Sequence, residues 1–388
     1  MGTGAILVLN AGSSSIKFAL YDAEPEPREC ARGLVENLGP CARMKLELPD
    51  RESTQHELGA ADHTVALKEI LSNTNRILGQ RPVIGVGHRI AHGGIEFVSA
   101  THLDDETLAK LRALKPLAPL HQPHNLAAVD AAKAIFPQAM QIGCFDTAFH
   151  RGHPWVNDTF ALPRRYYDKG VRRYGFHGLS YQYVSGALSE VAPAVASGRV
   201  IIAHLGNGAS MCALRDHRSM GSTMGFSALD GLPMGTRCGQ LDPGVLLYLM
   251  DQEKMTSAQI EDLLYLESGL QGLSGFSNDM RTLEASDRPE ARQAIDYFVF
   301  RIRRELGAMC AVLGGLDAVV FCGGIGENSA AVRSGVCNQM DWIGLSIDEE
   351  QNKANATCIS NGKVPVLVIR TDEERVIARS VANMLEPA

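Results

Sequence analysis

The first clear pattern along the chain is a pair of short apolar runs on either side of a small polar turn. The runs are Ile6–Leu9 and Ile16–Leu20, and the turn Asn10–Ser15 between them contains one glycine and three serines. This spacing predicts a strand, a tight turn and a second strand. Backbone N–H groups and hydroxyls in such a turn can bind phosphate oxygens, although a serine-rich hairpin without a ligand would have the same pattern.

A second stretch repeats this pattern half a chain later. With an offset of 194 positions, the apolar run Val200–Ala203 matches Ile6–Leu9, and Gly206 matches Gly12. The same offset also matches identical residues in the second run, at Ala213, Leu214 and Asp216. A repeat on this scale predicts a duplicated domain with two phosphate-binding turns.

Apolar periodicity along the rest of the chain predicts an α/β fold with parallel or mixed sheets. The further predicted strands are Val83–Val86, Ile142–Phe149, Asp317–Cys322 and Val364–Ile369. The predicted helices are Ala66–Leu78, Thr101–Lys115, Asn125–Phe136, Ser180–Val191, Pro289–Leu313 and a closing helix that begins in a capping box at Thr371–Glu374. The remaining stretch before Gln80 is mixed and polar, and it predicts no further element.

Composition and charge are those of an ordinary globular protein. The 388 residues are 45% hydrophobic and 21% charged, with a net charge of −7 and no basic block, which argues against nucleic acid as a partner. The nine cysteines form no CxxC pair and predict reduced thiols. No signal peptide or membrane span is expected, so we expect a cytoplasmic protein with no membrane partner.

Two arginines and one aspartate stand at positions typical of a functional site. Arg89 follows a predicted strand, where its guanidinium could hold a carboxylate through two hydrogen bonds. Asp146 ends another predicted strand, although an aspartate there could also cap a turn. Arg237 lies in a long glycine-rich loop, 229–243. The chain has no GxxxxGK[ST] P-loop, no protein-kinase motif set and no GxSxG elbow.

Two histidine pairs raise the alternative of a zinc site. His88 and His92 are four residues apart, and His121 and His124 are three apart, which are spacings that zinc ligands can have. Cysteine or carboxylate ligands usually complete such a set, and neither pair lies on a convincing predicted helix. The pattern therefore favours Arg89 as a fixed cation over metal binding in this region.

Taken together, these stretches resemble the motifs of the acetate kinase family, within the superfamily of acetate and sugar kinases, heat-shock chaperones and actin. The matching motifs span nearly the whole chain: Asn10–Lys17, Gly87–Gly94, Phe145–His150, Arg173–Gly178, His204–Gly208, Met234–Arg237, Gly323–Asn328 and Thr371–Glu374. The resemblance implies an α/β fold of two duplicated ribonuclease-H-like (actin-like ATPase) domains with a cleft between them. The expected domains are 1–150 plus 374–388, and 151–373, with most of the nucleotide site in the second.

The resemblance also implies a homodimer that uses ATP and Mg²⁺, or Mn²⁺, to phosphorylate a short carboxylic acid reversibly. It places the metal at Asn10 and Glu373. It places the nucleotide at Ser13, Ser15, Lys17, His204, Leu205, Gly206, Asn207, Gly208, Asp279, Met280, Arg281, Gly324, Ile325, Gly326, Glu327 and Asn328. It places the acid at Arg89, Ala91, Leu120, Phe176 and Ala228, and catalysis at Arg89, Asp146, His177 and Arg237.

Two roles are open for Asp146. The family's proposed role is acid–base catalysis. A carboxylic acid, however, has a pKa of about 4 and is already deprotonated at neutral pH, so no base is needed to activate it. We therefore expect Asp146 to orient Arg237 or a magnesium-bound water.

The sequence departs from the commonest family pattern at several positions: Leu179, Tyr181, Gln240 and Asp372. Ala91 and Ala228 stand where valine and proline are common, and their smaller side chains predict an acyl pocket that also accepts propionate. The alternatives are a propionate or other short-chain carboxylate kinase, or an ATP-binding switch protein of the same superfamily. Arg89 and Arg237 argue against the switch, which has no need for two carboxylate-binding cations.

Overall fold

The structure is a computed structural model, and it describes residues 4–12, 15–49 and 51–386. The chain divides into two units. Unit 1 takes the chain up to Phe149 and again from Asp372, and unit 2 is His150–Thr371. The two divisions lie one and two residues before the expected domain boundaries, so Glu373 belongs to unit 1 and not to the second domain.

The strands of the described residues form one sheet in each unit. In unit 1 they are β1 (Ala5–Ala11), β2 (Ile16–Asp22), β3 (Glu29–Glu36), β4 (Gly39–Glu47), β5 (Thr54–Ala61), β6 (Val83–Ile90), β7 (Thr101–His102) and β8 (Met140–Phe145). In unit 2 they are β9 (Arg199–Leu205), β10 (Ala209–Arg215), β11 (Arg218–Ser222), β12 (Ala318–Cys322) and β13 (Val366–Val368).

The helices surround these sheets. They are α1 (His63–Leu78), α2 (Asp105–Ala113), α3 (Gln122–Ile135), α4 (Trp155–Asp158), α5 (Arg164–Asp168), α6 (Gly178–Val191), α7 (Pro243–Asp251), α8 (Ser257–Leu266), α9 (Gly269–Ser274), α10 (Met280–Glu284), α11 (Pro289–Leu313), α12 (Gly323–Asn328), α13 (Ala330–Cys337), α14 (Glu349–Lys353) and α15 (Glu373–Leu385). Short 3₁₀ turns occur at Lys115–Leu117, Ala148–His150 and Asp341–Ile343.

The sheet of unit 1 has the strand order β5-β4-β3-β2-β1-β6-β8-β7. Strands β1 to β5 form an antiparallel meander, whereas β6 and β8 run parallel to β1. Because the carboxyl ends of parallel strands meet at one edge of a sheet, residues that end β1, β6 and β8 lie next to one another. Asn10, Arg89 and Asp146 occupy these ends.

The sheet of unit 2 has the order β11-β10-β9-β12-β13, which repeats the order and the strand directions of β3-β2-β1-β6-β8. The predicted duplication is therefore visible in the topology. Strands β1 and β9 correspond at the predicted offset of 194, but β2 and β10 correspond at 193. The reason is that residues 12–15 separate the first pair of strands, and only residues 206–208 separate the second pair.

Three strands of unit 1 had no counterpart in the sequence prediction: β3, β4 and β5. Strand β4 buries Ala42, Met44 and Leu46 on one face, but β5 buries only Ala61. Such weak alternation carries little local signal, and pairing with the neighbouring strand supplies the order. The helix predicted from Thr101 is also partly wrong, since β7 comes first and Asp104 N-caps α2.

Helix α15 belongs to unit 1 because it packs directly on β6. Glycines in β6 give it room: a Cβ on Gly87 would lie 2.4 Å from Ile377 Cγ2. The N-cap is Asp372, whose side chain accepts a hydrogen bond from the backbone N–H of Arg375 at 3.1 Å. The predicted capping box is therefore wrong by one residue, and Glu373 begins the helix.

The largest helix, α11, has the predicted bounds, with Pro289 in its first turn and Gly314 in the left-handed region at its end. Its inner face, with Phe298, Ile302 and Leu306, is fully buried in the core of unit 2. Burial of each such side chain stabilises the fold by about 1.5–3 kcal/mol. Among the described residues, no helix combines the length and apolar character needed to span a membrane.

Candidate functional site

A buried ion pair stands at the carboxyl edge of the unit 1 sheet. Arg89 Nε donates to both carboxylate oxygens of Asp146 at 3.1 Å, and Arg89 Nη2 donates to Asp146 Oδ2 at 2.6 Å. Asp146 is 1% exposed, and its backbone N–H donates to Ile90 O at 3.0 Å. Arg89 lies within strand β6, which is four residues longer than predicted, so the strand itself aims the guanidinium at Asp146.

Three further polar side chains surround this pair. Arg89 Nη1 donates to Asn10 Oδ1 at 3.1 Å, and Asn10 Nδ2 lies 3.4 Å from a carboxylate oxygen of Glu373 and of Glu374. Glu373 Oε2 is 4.0 Å from Arg89 Nε. The structure thus brings the predicted residues Asn10, Arg89, Asp146 and Glu373 into one cluster, here called the Arg89 cluster. It adds Glu374, which the capping-box motif contained but to which no role was assigned.

Burial and charge act in opposite directions in this cluster. Burial raises the pKa of Asp146, while the charge and hydrogen bonds of Arg89 oppose that rise. Burial also acts to lower the pKa of Arg89, but the charges of Asp146, Glu373 and Glu374 raise it above its ordinary value overall. The permanent charge of Arg89 thus works against protonation of Asp146, while burial and the nearby charge of Glu373 act in the other direction and leave the pKa of Asp146 raised.

A buried asparagine links two stretches of the predicted site in unit 1. The side chain of Asn125, on α3, donates to Ala11 O at 2.6 Å and accepts from the backbone N–H of Ala91 at 2.9 Å. It thereby fixes the end of β1 relative to the predicted acyl-pocket residue Ala91, which is 4% exposed. Sequence reasoning missed Asn125, because no local signal marks a residue that acts across the fold.

The histidines of unit 1 have roles within the fold. Buried His88 bonds through Nε2 to Gln141 Oε1 at 2.9 Å, and His63 bonds through Nε2 to Gly12 O at 2.7 Å. His124 stacks on His63 with ring centroids 4.1 Å apart. No group of three or more histidine, cysteine or acidic side chains in the described part of the chain could hold a metal ion. His63, His88 and His124 therefore act in hydrogen bonds and ring stacking within unit 1.

In unit 2, His177 and Arg237 converge on the turn between β9 and β10. A Cβ on Gly208 would lie 3.1 Å from His177 Nε2 and 3.3 Å from Arg237 Nη2. Arg237 Nη1 donates to Ala228 O at 3.0 Å, which anchors its guanidinium to the glycine-rich loop. His177 has a left-handed backbone, with φ 58°, and stacks on His204 at 4.4 Å between ring centroids.

A cavity of about 690 Å³ opens beside this turn, and its size is typical of a small-molecule site. Eight predicted nucleotide positions line it: Gly206, Asn207, Asp279, Met280, Arg281, Gly324, Ile325 and Asn328. The lining also includes Asn278, Glu284 and Ser329, which the sequence did not single out. No atom lies within 4 Å of a Cβ position on Gly324, so the backbone here is accessible to a ligand.

Asp279 organises one rim of this cavity. It N-caps α10, and its carboxylate oxygens bond to Arg281 Nε at 3.1 Å and Nη2 at 2.6 Å. The Arg281 hydrogen bond holds the pKa of Asp279 below its usual value. Arg281 is 90% exposed as a side chain, so the rim presents a cation at the mouth of the cavity.

The remaining predicted positions have varied surroundings. Leu205 and Gly326 are buried, and Glu327 Oε1 accepts from the backbone N–H groups of Gly323 and Thr371, so these three residues shape the backbone. Lys17 is exposed on β2, and Gly12 N donates to Ser15 O at 2.8 Å to close the first turn. Ser13 lies outside the described residues. Leu120 is half-buried in unit 1, and Phe176 and Ala228 pack in unit 2.

Comparison with known proteins places these features in a family context. The chain matches the family model described as the Acetokinase family over residues 5–379. It is 54% identical to the acetate kinase of Methylocella silvestris over 98% of each chain. The solved acetate kinase of Porphyromonas gingivalis is 38% identical, with a TM-score of 0.88 and coverage of 99% of this chain and 100% of that chain. The propionate kinase of Francisella tularensis is 34% identical, with a TM-score of 0.90 and coverage of 98% and 99%.

Proposed function

We propose, from the premise that this chain belongs to the Acetokinase family, that it phosphorylates acetate to acetyl phosphate with ATP, reversibly. The family membership confirms the resemblance found in the sequence and the predicted fold class. The observation that carries the proposal is the 690 Å³ cavity lined by eight predicted nucleotide positions. The ATP-binding switch alternative loses support, because the relatives named above are carboxylate kinases by name.

The proposed reaction is a direct in-line transfer. A carboxylate oxygen of the acid forms a bond to the γ-phosphorus, and the bond from that phosphorus to the bridging oxygen of ADP breaks. Because both reactants are anions, catalysis depends on positive charge and hydrogen-bond donors that are already in place. Arg89 would bind the carboxylate, while Arg237, His177 and Lys17 would stabilise charge on the transferred group.

The proposed metal is Mg²⁺, with Mn²⁺ as the alternative. Carboxylate oxygens of Glu373 and Glu374 both lie 3.4 Å from Asn10 Nδ2, and Asn10 Oδ1 lies on the Arg89 side. Hard oxygen ligands such as these carboxylates suit Mg²⁺, which binds proteins through one or two carboxylates together with substrate phosphates. The donor set therefore fits the group. When bound, the ion would neutralise phosphate charge, and Asn10 and Glu373 would hold it.

The choice of acid is the finer part of the proposal. The proposed acyl contacts are Ala91 and Leu120 in unit 1, and Phe176 and Ala228 in unit 2. Ala91 is nearly fully buried, so its surroundings exclude water. Since two positions carry alanine where larger residues are common, we propose that propionate is accepted beside acetate. The likeness to a propionate kinase supports this extension.

We also propose that the protein is a homodimer formed through unit 2. None of the residues of helix α7 is buried by the rest of the described chain. Leu247 is 62% exposed there, and Phe300 on α11 is 57% exposed. Val245, Tyr248 and Met250 on the same helix are also exposed, and an exposed apolar patch of this kind marks a protein interface. In light scattering, Leu247→Asp and Phe300→Asp should yield monomers, while Lys68→Asp, at an exposed charged position of α1 in unit 1, should leave the dimer intact.

The proposed location is the cytoplasm. None of the nine cysteines, all of which lie in the described part of the chain, forms a disulfide, and five of them are buried, namely Cys144, Cys212, Cys310, Cys322 and Cys337. A chain of this size without disulfides suits a reducing compartment.

The deciding experiment for the activity is a hydroxamate assay. Purified protein with ATP, Mg²⁺ and acetate should form acetyl phosphate, which hydroxylamine traps as acetyl hydroxamate. The control is the same mixture without enzyme. Folded protein that gives no product above this control, with either acetate or propionate, would overturn the proposed function.

A further inference from the structure

Two buried hydroxyl groups stand behind His177, the predicted transition-state residue. Ser210 Oγ lies 2.8 Å from His177 Nδ1, and Tyr181 Oη lies 2.5 Å from the same serine oxygen. Ser210 and Tyr181 are both fully buried. The three groups therefore form a chain, from Tyr181 through Ser210 to the Nδ1 side of His177.

The secondary structure holds this chain in place. Tyr181 lies in the first turn of α6, which begins directly after His177. Ser210 lies on β10 and pairs across the strands with His204 on β9. His204 in turn stacks on His177, and its Nδ1 bonds to Ser180 Oγ at 2.8 Å. Stacking on His204 thus fixes the plane of the His177 ring, and the contact with Ser210 fixes the position of Nδ1.

The two hydroxyls can form a single donor chain that ends at His177. Burial raises the pKa of Tyr181 well above its ordinary value, so the phenol keeps its proton and can donate it to Ser210 Oγ. The single hydroxyl proton of Ser210 is then available to His177 Nδ1. A neutral imidazole that accepts at Nδ1 carries its proton at Nε2, and Nε2 is the nitrogen that faces Gly208.

We infer that Tyr181 and Ser210 are positioning residues that hold His177 as the neutral Nε2–H tautomer, with its donor directed toward the phosphate-binding turn. In this form His177 donates a hydrogen bond to an oxygen of the transferred phosphoryl group without a change in its own protonation. The hydrogen bond to the phosphoryl group rests on the proposed function, whereas the tautomer of His177 does not. Tyr181 is one of the departures from the commonest family pattern noted in the sequence.

The tautomer can be read directly by NMR of protein with ¹⁵N-labelled histidine rings, in the full-length chain. We expect Nδ1 of His177 to be unprotonated and Nε2 to carry the proton, with the signals assigned by their loss in His177→Asn. Tyr181→Phe and Ser210→Ala should each shift the signals toward a mixture of tautomers. Tyr183→Phe, two residues along α6, is the matched control and should leave them unchanged. A wild-type His177 protonated at Nδ1 would overturn the inference.

Kinetics supply the second measurement. Loss of a residue that orients a functional side chain through a hydrogen bond typically costs about 10–100-fold in activity. We therefore expect kcat to fall about tenfold or more in Tyr181→Phe, with the KM for ATP and acetate changed less than about twofold. A normal kcat in both Tyr181→Phe and Ser210→Ala would contradict the positioning role. Inactive wild-type protein with the expected tautomer would instead overturn only the proposed function.

Discussion

Arg89 and Asp146 form a buried, two-point ion pair, with Nε and Nη2 of the guanidinium donating to the carboxylate at 3.1 and 2.6 Å. The sequence-based expectation paired Asp146 with Arg237 or with a metal-bound water. The contact found in unit 1 is with Arg89. This relationship gives Asp146 a definite task, since it fixes the orientation of the cation that would bind the substrate carboxylate.

The first prediction concerns Asp146→Asn. If Asp146 only orients Arg89, its loss should lower kcat by a similar factor at every pH, because no proton is transferred. Removing one partner of a buried pair also leaves a charge less well compensated, so the unfolding free energy should fall by about 3 kcal/mol. The measurement is kcat from pH 5 to 9 with a parallel thermal scan. An acidic limb that disappears in the variant, with normal activity at high pH, would show that Asp146 transfers a proton.

The second prediction concerns Arg237. Arg237→Ala should lower kcat by about 10²–10³-fold, which is the usual cost of one preorganised stabiliser, while ATP binding changes little. Arg237→Lys should also fail, since lysine cannot reproduce the planar fork that reaches Ala228 O and the turn at Gly208. Arg281→Ala at the cavity rim is the contrasting variant, and it should raise the KM for ATP with kcat nearly unchanged. A near-normal kcat in Arg237→Ala would mean that Arg237 only holds the loop in place and takes no part in catalysis.

The third prediction tests the narrow space at Gly208. In Gly208→Ala, the new methyl group would stand 3.1 Å from His177 Nε2 and 3.3 Å from Arg237 Nη2, so both side chains must move. Displacements well under 1 Å at reacting groups are costly, and we expect about a tenfold loss of kcat. Gly186→Ala on α6, where no atom lies within 4 Å of the added methyl, is the control. Equal kcat in the two variants would exclude a tight arrangement at Gly208.

The fourth prediction concerns acyl chain length. With alanine at 91 and 228, propionate and acetate should have kcat/KM values within roughly tenfold, because one methylene changes binding by about 1–3 kcal/mol. Ala91→Val should restore a preference for acetate, since Ala91 is 4% exposed and added methyl groups occupy buried space. Ala113→Val, at an exposed position of α2, serves as control. A wild-type preference for acetate well beyond tenfold would mean that neighbouring side chains fill the pocket.

The fifth prediction is a pH dependence of stability caused by His88. Burial lowers the pKa of His88 to about 4, against about 6.5 in the unfolded chain. The stability contributed by the neutral buried ring is therefore complete above pH 6.5 and is lost as the pH falls through this range toward 4. The full shift corresponds to about 3 kcal/mol.

The variant His88→Gln should be less stable at pH 7 but less sensitive to acid. When urea unfolds the His88→Gln variant near pH 5.3, the protein should bind about one proton fewer than the wild type binds on unfolding. The measurement is the slope of the unfolding free energy against pH. Gln138→Ala, at an exposed position just before β8, should retain the wild-type slope. An unchanged slope in His88→Gln would mean that the buried ring does not titrate as described. His150 and His153 in unit 2, whose pKa values burial also lowers, contribute to the slope that remains.

Local patterns determined much of the fold. The hairpin β1–β2, its repeat β9–β10 and helix α11 follow from runs of apolar residues whose spacing carries the signal by itself. The duplication was visible for the same reason, although the offset slips by one residue where the second turn is shorter. Arg89 and Asp146 could be recognised as site candidates because each ends a strand, and the ends of parallel strands share one edge of a sheet.

Tertiary structure alone decided which side chains meet. Glu373 reaches Asn10 across 363 positions of sequence because α15 packs on glycines of β6, and no local pattern encodes that approach. Asn125 joins Ala11 to Ala91, and Ser210 with Tyr181 fixes His177, only because separate elements come together. Strands β3 to β5 depend on pairing with their neighbours for the same physical reason. Periodicity specifies how one segment buries its apolar face, whereas hydrogen-bond partners are specified by the packing of segments that are distant in the chain.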